Sequence, residues 1–295
     1  MKHGGENTSQ ETGGGIMECR ITTLAENTAG VPQTFAEWGF SALIEADGKS
    51  ILMDTGRGHA IIHNAELLDI DLKKIDVIVL SHAHADHTGG LQPVLQRIRR
   101  DVPVIGAPEI WEKKYSTRGT TTPRYIGVPY QRAELESLGA RFNLSKEPIK
   151  LSKNVMTTGE VPAVTDFEKV GGDTLLVKVD DDYQLDEFPD DRALVVTTAV
   201  GLVVILGCAH RCLINTLYHA QNLTGVRQIH TVVGGCHLID ASEERITKTI
   251  AALKDLDVQN VGVSHCTGLK AGAMMAGELG SRFFFNTAGS VVTVP

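Results

Sequence analysis

Four times along this chain of 295 residues, a short apolar run rich in β-branched side chains stops at a polar cluster containing histidine or aspartate. Residues 51–53 stop at Asp54-Thr55-Gly56, and residues 77–80 at Ser81-His82-Ala83-His84-Ala85-Asp86-His87. Residues 202–206 stop at Gly207-Cys208-Ala209-His210, and residues 261–264 at His265-Cys266. Runs of this length with no polar alternation read as strands covered on both faces. Strand ends gather along one edge of a sheet, so the four clusters are expected to share one rim.

The rest of the pattern alternates strands with helices. Residues 19–24 read as a strand, and residues 40–46 and 51–54 as a hairpin turning at Asp47-Gly48. Residues 59–69 read as a helix. Leu91, Val94, Leu95 and Ile98 have the spacing of a second, beginning right after the histidine cluster. A helix is expected over 109–115, then a Thr/Arg/Pro-rich loop over 116–130 and strands over 155–158 and 174–179. Residues 180–191 are acidic and read as a solvated surface loop. Strands over 193–198, 202–206 and 229–233 flank a helix over 213–223. Asp240 with Glu243 is a capping signature for a helix buried through Ile246, Ile250 and Leu253, and residues 261–264 read as the final strand. The class is therefore α/β, with two mixed β-sheets packed together and helices on the outer faces. Residues 1–16, polar and glycine-rich, read as a flexible tail, and the domain as 17–295.

Composition narrows the function. A chain 42% hydrophobic and 22% charged can bury a core. Its net charge of -8 argues against a phosphate-backbone partner, so no nucleic acid is expected. The longest apolar stretch, 193–209, is too short for a membrane span and is broken by Thr197, Thr198 and Gly201, so no membrane association is expected. The N-terminal residues lack the apolar segment that secretion requires, which points to the cytoplasm. Five cysteines do not make a disulfide framework. A small anionic substrate is the expected partner, with self-association left open.

The histidine cluster carries the chemistry. In an extended segment His82 and His84 project to one side, so both imidazoles can face one cation, while Asp86 and His87 turn toward a second. Imidazole nitrogens and carboxylate oxygens are the donors that zinc prefers. Arg118, Arg124 and Arg132, with Lys113 and Lys114, concentrate positive charge; Arg118 and Arg124 are the candidates to grip a phosphate on the substrate. His59 and His63, four apart on a helix, read as a partly exposed face, and Cys212 is assigned no role.

The run His82-Ala-His84-Ala-Asp86-His87 after an apolar strand, preceded by Met53-Asp54-Thr55-Gly56, resembles the metallo-β-lactamase superfamily. Ser81 to Leu91, Gly207-Cys-Ala-His-Arg211, Gly234-Gly-Cys-His-Leu238 and Ser264-His-Cys-Thr-Gly268 resemble one branch of it, labelled dihydropterin-methyl-(ribofuranosyl)aminobenzene phosphate synthases or metal-dependent hydrolases. The resemblance implies a four-layer αββα sandwich with one or two divalent metal ions on the sheet edge, zinc first, with manganese or iron as alternatives. By the same resemblance His82 and His84 bind the first metal, and Asp86, His87 and His265 the second, while Asp54 orients ligands. Two departures stand out. No histidine lies between His87 and His210, so His210 must complete the first set, and Cys208 stands where an aspartate usually bridges the metals, as a candidate thiolate ligand. The implied activity is a hydrolase that uses a metal-activated hydroxide to cleave an ester or phosphodiester. Asp86 would also orient the nucleophile, and His237 would steady developing charge or protonate the leaving group. Two alternatives are a synthase condensing a dihydropterin with a ribofuranosyl aminobenzene phosphate, and a metal-binding sensor without turnover.

Overall fold

The computed structural model describes residues 18–295, so the tail expected over 1–16 lies outside the described residues. Seven strands form one sheet, in the order Val291–Val294, Cys19–Ala25, Ser41–Ala46, Lys49–Met53, Val77–Val79, Val102–Gly106 and Ala140–Leu144. Six form a second, in the order Phe283–Phe285, Asn260–Ser264, Ile229–Gly235, Gly201–Leu206, Ala193–Thr198 and Val155–Thr157. Each sheet is antiparallel at one end and parallel at the other. Lys49–Met53 runs parallel to Val77–Val79, and Gly201–Leu206, Ile229–Gly235 and Asn260–Ser264 are parallel neighbours. Parallel neighbours end on the same side, which is why the polar clusters that follow these strands meet.

Period-two alternation sorts the apolar residues into layers. Ile51, Met53, Val77 and Val79 of the first sheet meet Leu194, Val196, Val203 and Ile205 of the second in the core between the sheets. The alternate residues Leu52 and Ile78 face outward under the helices Ile61–Leu67 and Leu91–Ile98. Val195, Leu202 and Val204 do the same under Leu213–Thr224, Glu243–Asp255 and Leu269–Leu279. Both faces of every central strand are thus covered, and the unbroken apolar runs are accounted for. The fold is a mixed α/β sandwich of four layers.

Several local expectations are corrected. Residues 109–115 do not form a helix: a 3-10 turn over Pro108–Trp111 leads into a strand, Lys113–Ser116. That strand joins Leu175–Val179, Asp182–Leu185 and Arg124–Tyr125 in a third, four-stranded antiparallel sheet. Asn260–Ser264 is not the final strand, since Phe283–Phe285 and Val291–Val294 follow and close one edge of each main sheet. The helix Glu243–Asp255 is capped by Ser242, whose hydroxyl accepts from Arg245 N, whereas Asp240 pairs with Arg118.

The acidic segment is the largest departure. Asp182–Leu185 is an exposed strand, but Asp186, Asp190 and Asp191 are buried. Asp186 and Asp190 are partnered by Lys114, which is fully buried, with Nζ 2.9 Å from Asp186, 3.4 Å from Asp190 and 3.0 Å from Glu112. A strand that turns Lys113 outward must turn Lys114 inward, and carboxylates follow the buried ammonium. Burial raises the Asp190 carboxyl to about 6 despite the attraction of Lys114. Replacing Lys114→Met strands Asp186 and Asp190 in the interior. The expected loss is about 3–5 kcal/mol of stability, read as a lower urea midpoint.

Candidate metal centre

Asp54 emerges from the end of Lys49–Met53 with a left-handed backbone, φ 57°, a conformation a non-glycine residue keeps only where its surroundings enforce it. Its fully buried carboxylate makes three bonds. Oδ1 accepts from Ser81 N at 2.7 Å, and Oδ2 accepts from Ser81 Oγ at 2.6 Å and from His87 Nδ1 at 2.7 Å. The single hydroxyl proton of Ser81 is thereby used, so His82 Nδ1, 2.8 Å from Ser81 Oγ, must be the donor in that pair. Asp54 thus engages Nδ1 of His87 directly and Nδ1 of His82 through Ser81, so that in both rings Nε2 is the nitrogen turned toward the other donors. Gly207 of the second sheet makes this possible: a Cβ there would lie 2.1 Å from Ser81 Oγ and 2.9 Å from Asp54 Oδ2.

His84 is extended, as the alternation requires, whereas Asp86 and His87 lie in a helical turn, Ala85–Thr88, that swings them to a different position. The 82–84 loop is held by Asp190, whose Oδ2 accepts from Ala83 N at 2.8 Å. His210 follows a left-handed Ala209 and stacks on Phe188 at 3.9 Å and 9°; Arg211 N beside it donates to Asp191 at 2.9 Å. His265, also left-handed with φ 50°, is oriented by Glu26, which accepts from its backbone N at 2.6 Å, and by Asn27, 2.9 Å from Nδ1. Its Nε2 then faces Asp86 Oδ2 at 3.3 Å.

Donor atoms converge in a way that hydrogen bonding alone does not explain. His82 Nε2 and His84 Nδ1 stand 3.0 Å apart, and His87 Nε2 and Cys208 Sγ 3.1 Å apart. Both ring nitrogens of His210 and Nδ1 of His237 are buried without a partner, an arrangement that costs free energy unless something accepts them. Atoms bound about 2.0–2.3 Å from one cation stand roughly 3–4 Å from each other. Among the described residues, His82, His84 and His210 bring ligand atoms within 4.8 Å of one another, as do Asp86, His87 and His265. Cys208 belongs to three further sets, with His82 and His87, with His210 and His237, and with His265 and Cys266. The residues present therefore have the donor chemistry and the close spacing that suit a divalent metal site.

Burial sets the protonation of the metal-free centre. It pushes His84 from its ordinary 6.5 to about 3 and holds His82 and His210 well below the usual range. His87 moves the other way, to about 9, because Asp54 outweighs burial. Burial also raises the Cys208 thiol, and the neighbouring Cys266 adds to the rise. Burial would raise Asp86 as well, but its bond to His265 and the charge of His87 outweigh that and hold its carboxyl below the usual range.

The centre lies at the bottom of a cavity of about 410 Å³. His84, Asp86, Cys208, His210, His237 and His265 line it, with His82 and His87 fully buried beneath and Asp54 behind them. Arg118 and Arg124, carried by the third sheet, form part of its wall; Arg118 pairs with Asp240 at 2.8 Å. Arg57 and Trp38, which sequence reasoning did not single out, complete it, and Arg57 immediately follows the Asp54-Thr55-Gly56 turn. His63 stacks on Phe35 and pairs with Gln33 O, away from the centre, and Cys212 is buried at the start of a helix.

Two outcomes follow. Asp54→Asn is expected to weaken metal binding about 10–100-fold, measured by competition with a chelating dye. In the metal-free protein the folded pKa of His84, about 3, lies below its ordinary 6.5, so the unfolded chain binds more protons between these values. The stability this group contributes is present above pH 6.5 and lost as pH falls toward 3; chemical denaturation of chelator-treated protein across that window checks it.

Comparison with known proteins agrees with the fold. Residues 39–199 match the family described as the metallo-beta-lactamase superfamily. Over 287 residues, 95% of this chain and 98% of the relative, the sequence is 34% identical to a Methanocaldococcus jannaschii protein named 7,8-dihydropterin-6-methyl-4-(beta-D-ribofuranosyl)-aminobenzene-5'-phosphate synthase. A second protein of that organism, named uncharacterized protein MJ0448, is 32% identical over 251 residues, covering 85% of this chain and 91% of the relative. The crystal structure of Tm1679, described as a metal-dependent hydrolase of the beta-lactamase superfamily, superposes with a TM-score of 0.79 at 30% identity, covering 94% of this chain and 99% of that one. The chain belongs to the metallo-β-lactamase superfamily.

Proposed function

We propose that this protein is a metal-dependent hydrolase that cleaves an ester, phosphodiester or phosphoanhydride bond in a small anionic molecule. The observation that carries the reading is the convergence of imidazole, carboxylate and thiol donors at the floor of an arginine-walled cavity. His82, His84 and His210 would hold one divalent cation and Asp86, His87 and His265 a second, with Cys208 available as a further ligand. The cations, zinc first, would polarise the oxygen under attack and lower the pKa of a water molecule so that it serves as nucleophile near neutral pH. Asp86, ionised, would orient that water. Arg57, Arg118 and Arg124 receive the anionic part of the substrate. His237 presents a buried, unpartnered Nδ1 beside His210, with the rings 4.1 Å apart, and is placed to give a proton to the leaving oxygen.

A second reading replaces water by a carbon or nitrogen nucleophile. It is favoured by the 34% identity, over nearly the full length of both chains, to the protein named as a dihydropterin–aminobenzene phosphate synthase. In that reaction the same arginines hold a departing diphosphate. The two are separated by measuring phosphate and diphosphate release from a dihydropterin methyl diphosphate with and without the aminobenzene partner. Release without the partner supports the hydrolase, and release only with it supports the synthase.

Both readings require the metal ligands. His84→Ala is expected to reduce bound metal from two ions per chain to one or none and Asp86→Asn to weaken the second site, each lowering turnover by at least about 100-fold. Elemental analysis and a phosphodiester assay check both, and full turnover in either variant would sink the proposal. Arg124→Ala is expected to act mainly on KM, by about tenfold, with a smaller change in kcat.

A further inference from the structure

Two of the five cysteines differ from the rest in their surroundings. Cys208 and Cys266 line the metal cavity, whereas Cys19, Cys212 and Cys236 are buried and do not line it. The two stand 58 residues apart in the chain, on turns that leave Gly201–Leu206 and Asn260–Ser264. Those strands are not neighbours: Ile229–Gly235 runs between them, parallel to both. A side chain at the end of that middle strand would stand between the two turns. Gly235 occupies the position, and a Cβ there would fall 2.6 Å from Cys266 Sγ and 3.3 Å from Cys208 Cα. The missing side chain is what lets the Cys266 thiol reach the turn that carries Cys208.

The contact is direct. Cys266 Sγ donates to Cys208 O at 3.6 Å and accepts from His237 N at 3.3 Å. The sulfurs of Cys208 and Cys266 lie within 4.8 Å of each other. Cys208 Sγ also stands 3.1 Å from His87 Nε2, where it is available to a cation. Whatever engages Cys208 from the side of Cys266 therefore competes with the metal, because it is the free thiolate that binds a metal ion.

We infer that Cys208 and Cys266 are joined in a reversible disulfide by hydrogen peroxide, and that the bond withdraws Cys208 from the metal centre. The Cys266 sulfur attacks one peroxide oxygen and the O–O bond breaks, giving a sulfenic acid and one water that carries the thiol proton. The Cys208 sulfur then attacks the Cys266 sulfur, the S–O bond breaks, and the hydroxyl leaves as a second water with the Cys208 proton. Two thiols lose two electrons, and one peroxide becomes two waters. A disulfide holds its sulfurs about 2.05 Å apart, and the polar turns, rather than the strands, supply the movement that closes the gap. The bond is the same whether the centre hydrolyses or condenses its substrate; the loss of metal rests on Cys208 as a ligand.

The test uses full-length, zinc-loaded protein treated with equimolar hydrogen peroxide, alkylated, and mapped as peptides without reduction. The expected result is loss of two of the five thiols, a peptide joining Cys208 to Cys266, and transfer of zinc to a chelating dye at least about tenfold faster than from untreated protein, with dithiothreitol restoring both thiols. In Cys266→Ser the peroxide-induced release is expected to fall about tenfold. No loss of thiols, equal loss of all five, a bond that includes Cys236, oxidation that stops at sulfenic or sulfinic acid, or a Cys208–Cys266 bond with zinc fully retained would each overturn the proposal. So would release from Cys266→Ser at the wild-type rate. If that variant does not fold, the peptide map of the wild-type protein decides alone. Lack of turnover on every substrate would remove the proposed function and leave the thiol count and the peptide map unchanged, so the two failures are distinguishable.

Discussion

One buried carboxylate governs the centre. Asp54 is fully enclosed, and an isolated negative charge there would be costly, yet Ser81 supplies two donors and His87 a third. The bonds that make its burial tolerable also decide which nitrogen of His82 and of His87 is left to bind a cation. Metal affinity and folding are therefore served by the same three contacts. The left-handed backbone at Asp54, and again at His237 and His265, shows the chain bent out of its preferred conformations where it delivers these side chains.

The same economy appears at Asp190. One of its oxygens accepts from Ala83 N, between His82 and His84, and the other lies 3.4 Å from Lys114 of the third sheet. The loop that presents two imidazoles is thus bolted to the platform that carries Arg118 and Arg124. Phe188, two residues earlier, stacks on His210. A segment that looks like a charged surface loop is in fact the joint between the arginine wall and the donor cluster.

Much of this was legible in the sequence, because its physics is local. An apolar run covered on both faces declares itself without its neighbours, and a His-x-His-x-Asp-His run carries its chemistry at fixed spacing. The layered fold and the convergence of His82, His84, His210 and His265 follow from strand ends meeting. What sequence reasoning missed depends on contacts distant in the chain. Lys114 and the aspartates at 186 and 190 are more than 70 residues apart and each alone is an ordinary surface residue. Glu26 and Asn27 orient His265 across nearly the whole chain. Nothing in the spacing of Trp38 or Arg57 marks them as walls of a cavity. Position 57 alone carried a hint, since it follows the turn at Asp54.

The candidate donors of the centre are drawn from residues 82 to 265, and the ends of strands in both sheets deliver them. A cation seated there would tie the first half of the chain to the second at a point where hydrogen bonds such as Ala83 N to Asp190 and His265 N to Glu26 already join them. During synthesis on the ribosome the early histidines emerge long before their partners. A nascent or truncated chain therefore exposes an incomplete chelate, and tight capture of an ion becomes a mark that the two sheets have closed on each other.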